Sequence, residues 1–276
     1  MKTLHTKILA AAMALIITLT LLPFVAQPAS AFGDMGKAGY LTTISISNGN
    51  SAAVAANGDL YVWGNNFNGQ LGLGNYGEGT HKTSPTKVPG LSNVVSVSIG
   101  HSFCAALTAS GDIYTWGSNR YGQIGSGKSG QGVYVTSPTK VPGISNVVAI
   151  NMGCYHSSAV TANGDLYVWG YNDFGQLGLG DETDRTTPTK VPGLSNVVAA
   201  SMGYTHSAAL TASGDIYIWG SNVDGQLGLG DRTKRLTPTK VPGLPKVVAI
   251  GMGGGGISNH SAAVTSDGYR TGEGVH

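Results

Sequence analysis

Trp-Gly occurs four times in this chain, at Trp63, Trp116, Trp169 and Trp219, with intervals of 53, 53 and 50 residues. Lys-Val-Pro-Gly recurs alongside it, starting at residues 87, 140, 190 and 240. Units that repeat at such a period stack, because one unit alone cannot bury its apolar face. The units run over 41–93, 94–146, 147–196 and 197–246, with a partial fifth over 247–276 in which the expected D-L-Y-V-W-G gives way to YRTGEGVH.

Inside a unit the apolar period is two, which is the signature of strands. Val148, Ile150 and Met152 alternate in a first strand, Ser158 to Ala162 form a second, and Leu166 and Val168 alternate with Tyr167 and Trp169 in a third. Asn57-Gly58, Ser110-Gly111, Asn163-Gly164 and Ser213-Gly214 join the second strand to the third, since Gly supplies the positive φ of a tight hairpin. Pro-Thr-Lys-Val forms a fourth strand whose prolines lack a donor and suit an edge. The fold class predicted is all-β: a β-propeller of four-stranded antiparallel blades, with four full repeats and a partial fifth in an incomplete or open ring. An open arc exposes apolar blade faces, so truncation or self-association is expected.

Residues 1–31 have a different character. Lys2 and Lys7 precede an apolar run of 15 residues, Ile8 to Leu22, and Ala29-Ser30-Ala31 follows. This is the pattern of a secretory signal peptide cut after Ala31, and the run is shorter than the roughly 20 residues of a membrane span. Residues 32–40 form a short lead, and the predicted location is secreted or cell-surface. The whole chain has 16 basic and 14 acidic residues; loss of Lys2 and Lys7 leaves no net charge. A nucleic-acid partner, which needs a clustered basic excess, is therefore not expected. Cys104 and Cys154 are the only cysteines. Two buried thiols are expected in preference to a bridge.

The pattern W-G-x-N-x-x-G-Q-[LI]-G-x-G, seen from Trp63 to Gly74, recurs in all four units, and G-x-x-H-S appears at Gly153 to Ser157 and Gly203 to Ser207, with His260-Ser261 in the fifth. On these motifs the chain resembles the regulator of chromosome condensation repeat family over about residues 41 to 264. The resemblance implies a seven-bladed propeller, a count from which four units and a fragment depart. It also implies protein binding: the eponymous member is a nuclear guanine-nucleotide exchange factor acting on a small GTPase and chromatin, and a secreted bacterial type inhibits β-lactamases by covering their active sites. A signal peptide and zero net charge fit the second setting better.

Several motifs invite a chemical reading. Gly122 to Ser129 spells the phosphate-binding G-x-x-x-x-G-K-S, but turn and strand formers follow where a helix is required. Gly72 to Gly77 spells a dinucleotide fingerprint without its βαβ setting. His156, His206 and His260 occupy equivalent positions, and one imidazole per blade bonded to backbone groups is expected in place of a metal site. Asp181, Glu182 and Asp184 lack the ligand pattern of a calcium loop. No nucleophile elbow is present, so no catalytic residue and no cofactor are assigned. An extracellular hydrolase or lyase with an axial pocket is the alternative to a non-enzymatic binding module.

Strand direction places the invariant hairpin and Val-Pro-Gly links at one end of every blade and the divergent connections at the other. Positions that vary while the blade stays constant are not fixed by the fold, and aromatic residues with Arg suit a contact surface. Tyr155, Tyr171, Phe174 and Tyr204, with Arg120 and Tyr121 beside them, are the predicted contact patch for a protein or cell-envelope partner. Trp63, Trp116, Trp169 and Trp219 are predicted to lie between blades as structural anchors.

Overall fold

A computed structural model describes residues 41–253, 260–266 and 270–271. The proposed signal segment and lead, residues 1–40, lie outside them. The described residues contain strands and turns and no helix. Blade 1 consists of β1 Leu41–Ser47, β2 Asn50–Ala55, β3 Leu60–Gly64 and β4 Lys82–Lys87; blade 2 of β5 Val94–Ile99, β6 Phe103–Thr108, β7 Ile113–Ser118 and β8 Tyr134–Lys140. Blade 3 contains β9 Val147–Met152, β10 His156–Thr161, β11 Leu166–Gly170 and β12 Arg185–Lys190; blade 4 contains β13 Val197–Met202, β14 His206–Thr211, β15 Ile216–Gly220 and β16 Arg235–Lys240. A three-stranded remnant follows, β17 Val247–Met252, β18 Ser261–Thr265 and β19 Arg270–Thr271. Every blade is an antiparallel meander in chain order.

First strands pack in the succession β1, β5, β9, β13 and β17, and the arc does not close into a ring. Ile44 and Ile46 show what an absent neighbour costs. They stand at the places of Ile150 and Met152, which pack on blade 2, yet they are 58 % and 75 % exposed. Adjacent first strands are joined by a repeated side-chain bond. Ser45 Oγ accepts the Ile99 amide at 3.0 Å, Ser98 Oγ accepts that of Met152 at 3.0 Å, Asn151 Oδ1 that of Met202 at 2.8 Å, and Ser201 Oγ that of Met252 at 3.0 Å.

The simple alternation expected for the first strand does not hold. A bulge lies between Val147 and Ala149, where Val147 pairs with Thr161 and Ala149 with Val160. Val147, Ile150 and Met152 consequently face blade 2, whereas Val148 packs with the core shared with blade 4. Strand ends also differ from expectation: β10 begins at His156, two residues before Ser158, and β12 at Arg185, ahead of Pro188. Pro188 lies on the sheet edge, inside the bulge between the pairs Val168↔Thr189 and Gly170↔Arg185, where no ladder donor is missed.

Tryptophans fill the spaces between sheets. Trp116, Trp169 and Trp219 are fully buried. Each indole N–H reaches back to the preceding blade, Trp116 to the Gln70 carbonyl at 2.9 Å, Trp169 to Gln123 at 2.9 Å and Trp219 to Gln176 at 2.8 Å. Among the described residues no blade precedes Trp63, which is only half-buried. Cys104 and Cys154 stand as two buried thiols, and burial pushes both upward, Cys154 to about 11.

Candidate functional site

Two connections build the variable end of each blade. The turn between first and second strands is closed by one bond: Gly100 donates to the Phe103 carbonyl, Gly153 to His156 and Gly203 to His206, each at 2.9 Å. Glycine is required here, since a Cβ on Gly153 would come within 2.6 Å of the Gly203 carbonyl and 2.7 Å of His156. The connection between third and fourth strands is held by two buried amides. In blade 3, Asn172 Oδ1 accepts the Leu177 amide at 2.8 Å, Asn172 Nδ2 donates to the Asp181 carbonyl at 2.9 Å, and Gln176 Oε1 accepts the Phe174 amide at 2.9 Å. Asn119 with Gln123 and Asn222 with Gln226 repeat these roles. Asn and Gln of the repeat motif therefore shape the loop in every one of these blades, joined in blades 3 and 4 by Asp181 and Asp231, whose Oδ1 atoms accept from Asn172 and Asn222.

The six residues expected at the contact patch come together. Tyr121 lies 4.5 Å from Tyr171 and 5.5 Å from Tyr155, centroid to centroid. Tyr155 is 6.3 Å from Tyr171 and 5.8 Å from Tyr204, and Tyr171 is 6.0 Å from Phe174. Arg120 places its guanidinium carbon 5.1 Å from the Tyr121 ring. Sequence reasoning missed His101, whose ring is 5.3 Å from Tyr155. Its signal was its position, the same first connection that supplies Tyr155 and Tyr204. The rings form one contiguous half-buried surface across blades 2, 3 and 4. Burial, then neighbouring Tyr204, raises the Tyr155 hydroxyl, and burial with the hydrogen bond to Asp173 raises that of Tyr171, so both remain protonated donors. Burial lowers His101, which is neutral near pH 7.

The RCC1-like domain matches residues 21–276, nearly the whole chain. The chain belongs to the RCC1-like domain family. The ultraviolet-B receptor UVR8 of Arabidopsis thaliana is 35% identical over 127 residues, which is 46% of this chain and 28% of the receptor. Prp20p of Saccharomyces cerevisiae, described for its binding to Gsp1p and histones, superposes with a TM-score of 0.71 at 26% identity, over 78% of this chain and 54% of that one. The structure of Kap60 bound to yeast RCC1 (Prp20) gives 0.74 at 25% identity, over 89% and 59% of the respective chains. This chain thus spans 28% to 59% of the length of these relatives.

In this RCC1-like frame the remaining motifs have structural explanations. His156 Nε2 lies 2.8 Å from Ser207 Oγ, and Ser207 donates its own proton to the Gln176 carbonyl at 2.8 Å. The imidazole must then be the donor, which leaves Nδ1 bare and the serine without a base. His206 meets Ser261 in the same way at 3.1 Å. For His156 the expected backbone partner is corrected to a serine hydroxyl of the next blade, and the serine in turn holds the backbone carbonyl; His206 makes the same serine contact and also bonds the backbone of His260. Burial lowers His156 to about 3 and His206 to about 4.

Three amides of the phosphate-loop lookalike are already engaged within the fold. Ile124 donates to Asn119 Oδ1, Gly125 to the Gly122 carbonyl and Gly127 to that of Thr186, and no helix follows. The acidic tip of blade 3 is likewise occupied: Asp181 pairs with Arg185 at 2.6 Å, Asp184 accepts the Asn172 amide at 2.7 Å, and Glu182 pairs with Lys234. Among the described residues no group of three or more His, Cys, Asp or Glu is placed to hold a metal ion.

Proposed function

We propose that this chain is an exported, non-enzymatic binding module that docks a protein partner on the aromatic end of blades 2 to 4. The contiguous set of rings from His101 to Tyr204 carries this reading. Tyrosine supplies large contact area at small entropic cost, and buried, rigid aromatic residues are the usual anchors of protein interfaces. The amides of the repeat motif hold these loops without help from the rings, so the rings are available to a partner. Relatives support the class: UVR8 is a receptor, and Prp20p binds Gsp1p and histones. The N-terminal sequence, Lys2 through Ala31, supports export.

A photo-crosslinking residue at Tyr171 tests this proposal. Incubated with material from the producing cells, it should capture a discrete protein, and the same residue placed at exposed Ser195, beside the Val-Pro-Gly link, should not. Capture from Ser195 alone would place the docking surface on the other end.

A further inference from the structure

Four copies of one loop on one scaffold provide an internal comparison of charge. Asn119 Nδ2 bonds the Lys128 carbonyl at 2.9 Å just as Asn172 Nδ2 bonds that of Asp181 at 2.9 Å, so the loops superpose residue for residue across this stretch. Arg120 therefore stands where blade 3 has Asp173, and Lys128 stands where blades 3 and 4 have Asp181 and Asp231. The same amides fold every copy, and blade 2 builds its loop without the carboxylate that Asp181 and Asp231 supply to Asn172 and Asn222 in blades 3 and 4. Asp112 is the sole carboxylate of unit 2, and it lies at the hairpin end, paired with Lys140 at 2.9 Å.

Arg120 opens onto a cleft of about 280 Å³ whose other walls include His101, Tyr121, Gln131, Tyr134 and Tyr155. No carboxylate lines this cleft. Its walls present guanidinium, phenol and amide donors, while His101 is kept neutral by burial. Arg120 enters none of the ion pairs found among the described residues. Stacking on Tyr121 restricts the side chain and leaves its fork of N–H groups free, an arrangement that recognises a planar carboxylate bidentately.

We infer that this cleft receives an Asp or Glu side chain from an acidic segment of the partner, held by Arg120 while the neighbouring tyrosines pack on the flanking residues. The inference rests on the protein-docking reading above and deepens it by naming the chemistry recognised. Polar donors without an opposing acid would make a basic segment unfavourable, since it would face Arg120 directly.

Fluorescence anisotropy with a labelled octapeptide of alternating Glu and Gly tests it on the whole protein. The peptide should bind, more weakly as salt is raised. Arg120→Gln should weaken binding about tenfold or more, as expected for loss of a charge-assisted bidentate pair, and Lys128→Gln, outside the cleft, much less. A matching Lys-Gly peptide should not bind. Equal binding of the Glu peptide to wild type and Arg120→Gln, or no binding at all, would overturn the inference. Competition by inorganic phosphate at the same molar concentration as free peptide would assign the cleft to a small anion instead, which also overturns it. If a partner cross-linked at Tyr171 binds Arg120→Gln with unchanged affinity, the docking surface stands and the acid recognition falls.

Discussion

Trp169 of blade 3 donates its indole N–H to the Gln123 carbonyl of blade 2 at 2.9 Å, and Ser157 Oγ donates to the same oxygen at 2.8 Å. One main-chain carbonyl in the loop of blade 2 is thus the meeting point of two side chains from the following blade. Gln176 repeats the relation with Trp219 and Ser207. Blade-to-blade cohesion is written into the most regular part of the sequence.

Trp169→Ala should cost about 3–5 kcal/mol, the range for removing a large buried aromatic side chain. Trp63→Ala should cost clearly less, because Trp63 is half-buried and no blade precedes it among the described residues. Denaturant melts of the two variants compare them directly. Equal losses would mean that the inter-blade site adds nothing to burial within the blade.

A glycine pair isolates the contact beneath the indole. A Cβ on Gly178 would lie 2.7 Å from Trp219 Nε1, whereas one on Gly228, at the same place in blade 4, meets nothing within 4 Å. Both have positive φ, 70° and 61°. Gly228→Ala should cost only the left-handed backbone term, about 1–2 kcal/mol, and Gly178→Ala should cost about 1–3 kcal/mol more from overpacking. Matching melts for the two variants would contradict the close approach.

Stability should fall on acidification through the buried histidines. His156 has its folded value lowered to about 3 from an ordinary 6.5, so below pH 6.5 the unfolded chain binds a proton that the folded chain refuses. The loss grows from pH 6.5 down to about 3 and reaches about 2 kcal/mol at pH 5 for this one residue. His206 adds to it down to about pH 4. Phe103 occupies the equivalent buried place in blade 2, so His156→Phe should fold and flatten the dependence. An unchanged slope of melting temperature between pH 7 and pH 5 would rule out His156 as a source.

Export predicts a defined N-terminus. Sequencing the protein recovered outside the producing cell should give Phe32 first, because Ala29-Ser30-Ala31 provides the small residues a signal peptidase accepts. Recovery of material that starts at Met1 would refute this.

Blade architecture was legible because the Trp-Gly and Lys-Val-Pro-Gly repeats, the Asn-Gly and Ser-Gly hairpins and the period-two strands all point to the same sheet. The fifth unit retained as strands the two segments expected, Val247–Met252 and Ser261–Thr265, and added the short Arg270–Thr271. The bulge at Val147 was not legible, since a single unpaired residue leaves no mark on an apolar run; it moved Val148 to the opposite face. The bond from Ser98 or Asn151 to the next blade was readable in principle, as a polar residue recurring two places before the turn glycine. The partner of His156 was not, because it lies 51 residues away on another blade. The aromatic patch was foreseen from variation among copies, and proximity of Tyr121 to Tyr155 and Tyr171 depended on how adjacent blades align their loops.

The central claim is that the aromatic end is the docking surface, and the affinity of a captured partner tests it most directly. Titration calorimetry should show Tyr171→Ala with Phe174→Ala weakening binding by more than about 1 kcal/mol, as expected for anchor residues. A double change at exposed residues of the opposite end, Ser195→Ala with Asn163→Ala, should leave affinity unchanged once folding is verified. Unchanged affinity in the aromatic variant, with loss in the hairpin-and-link variant, would contradict the account.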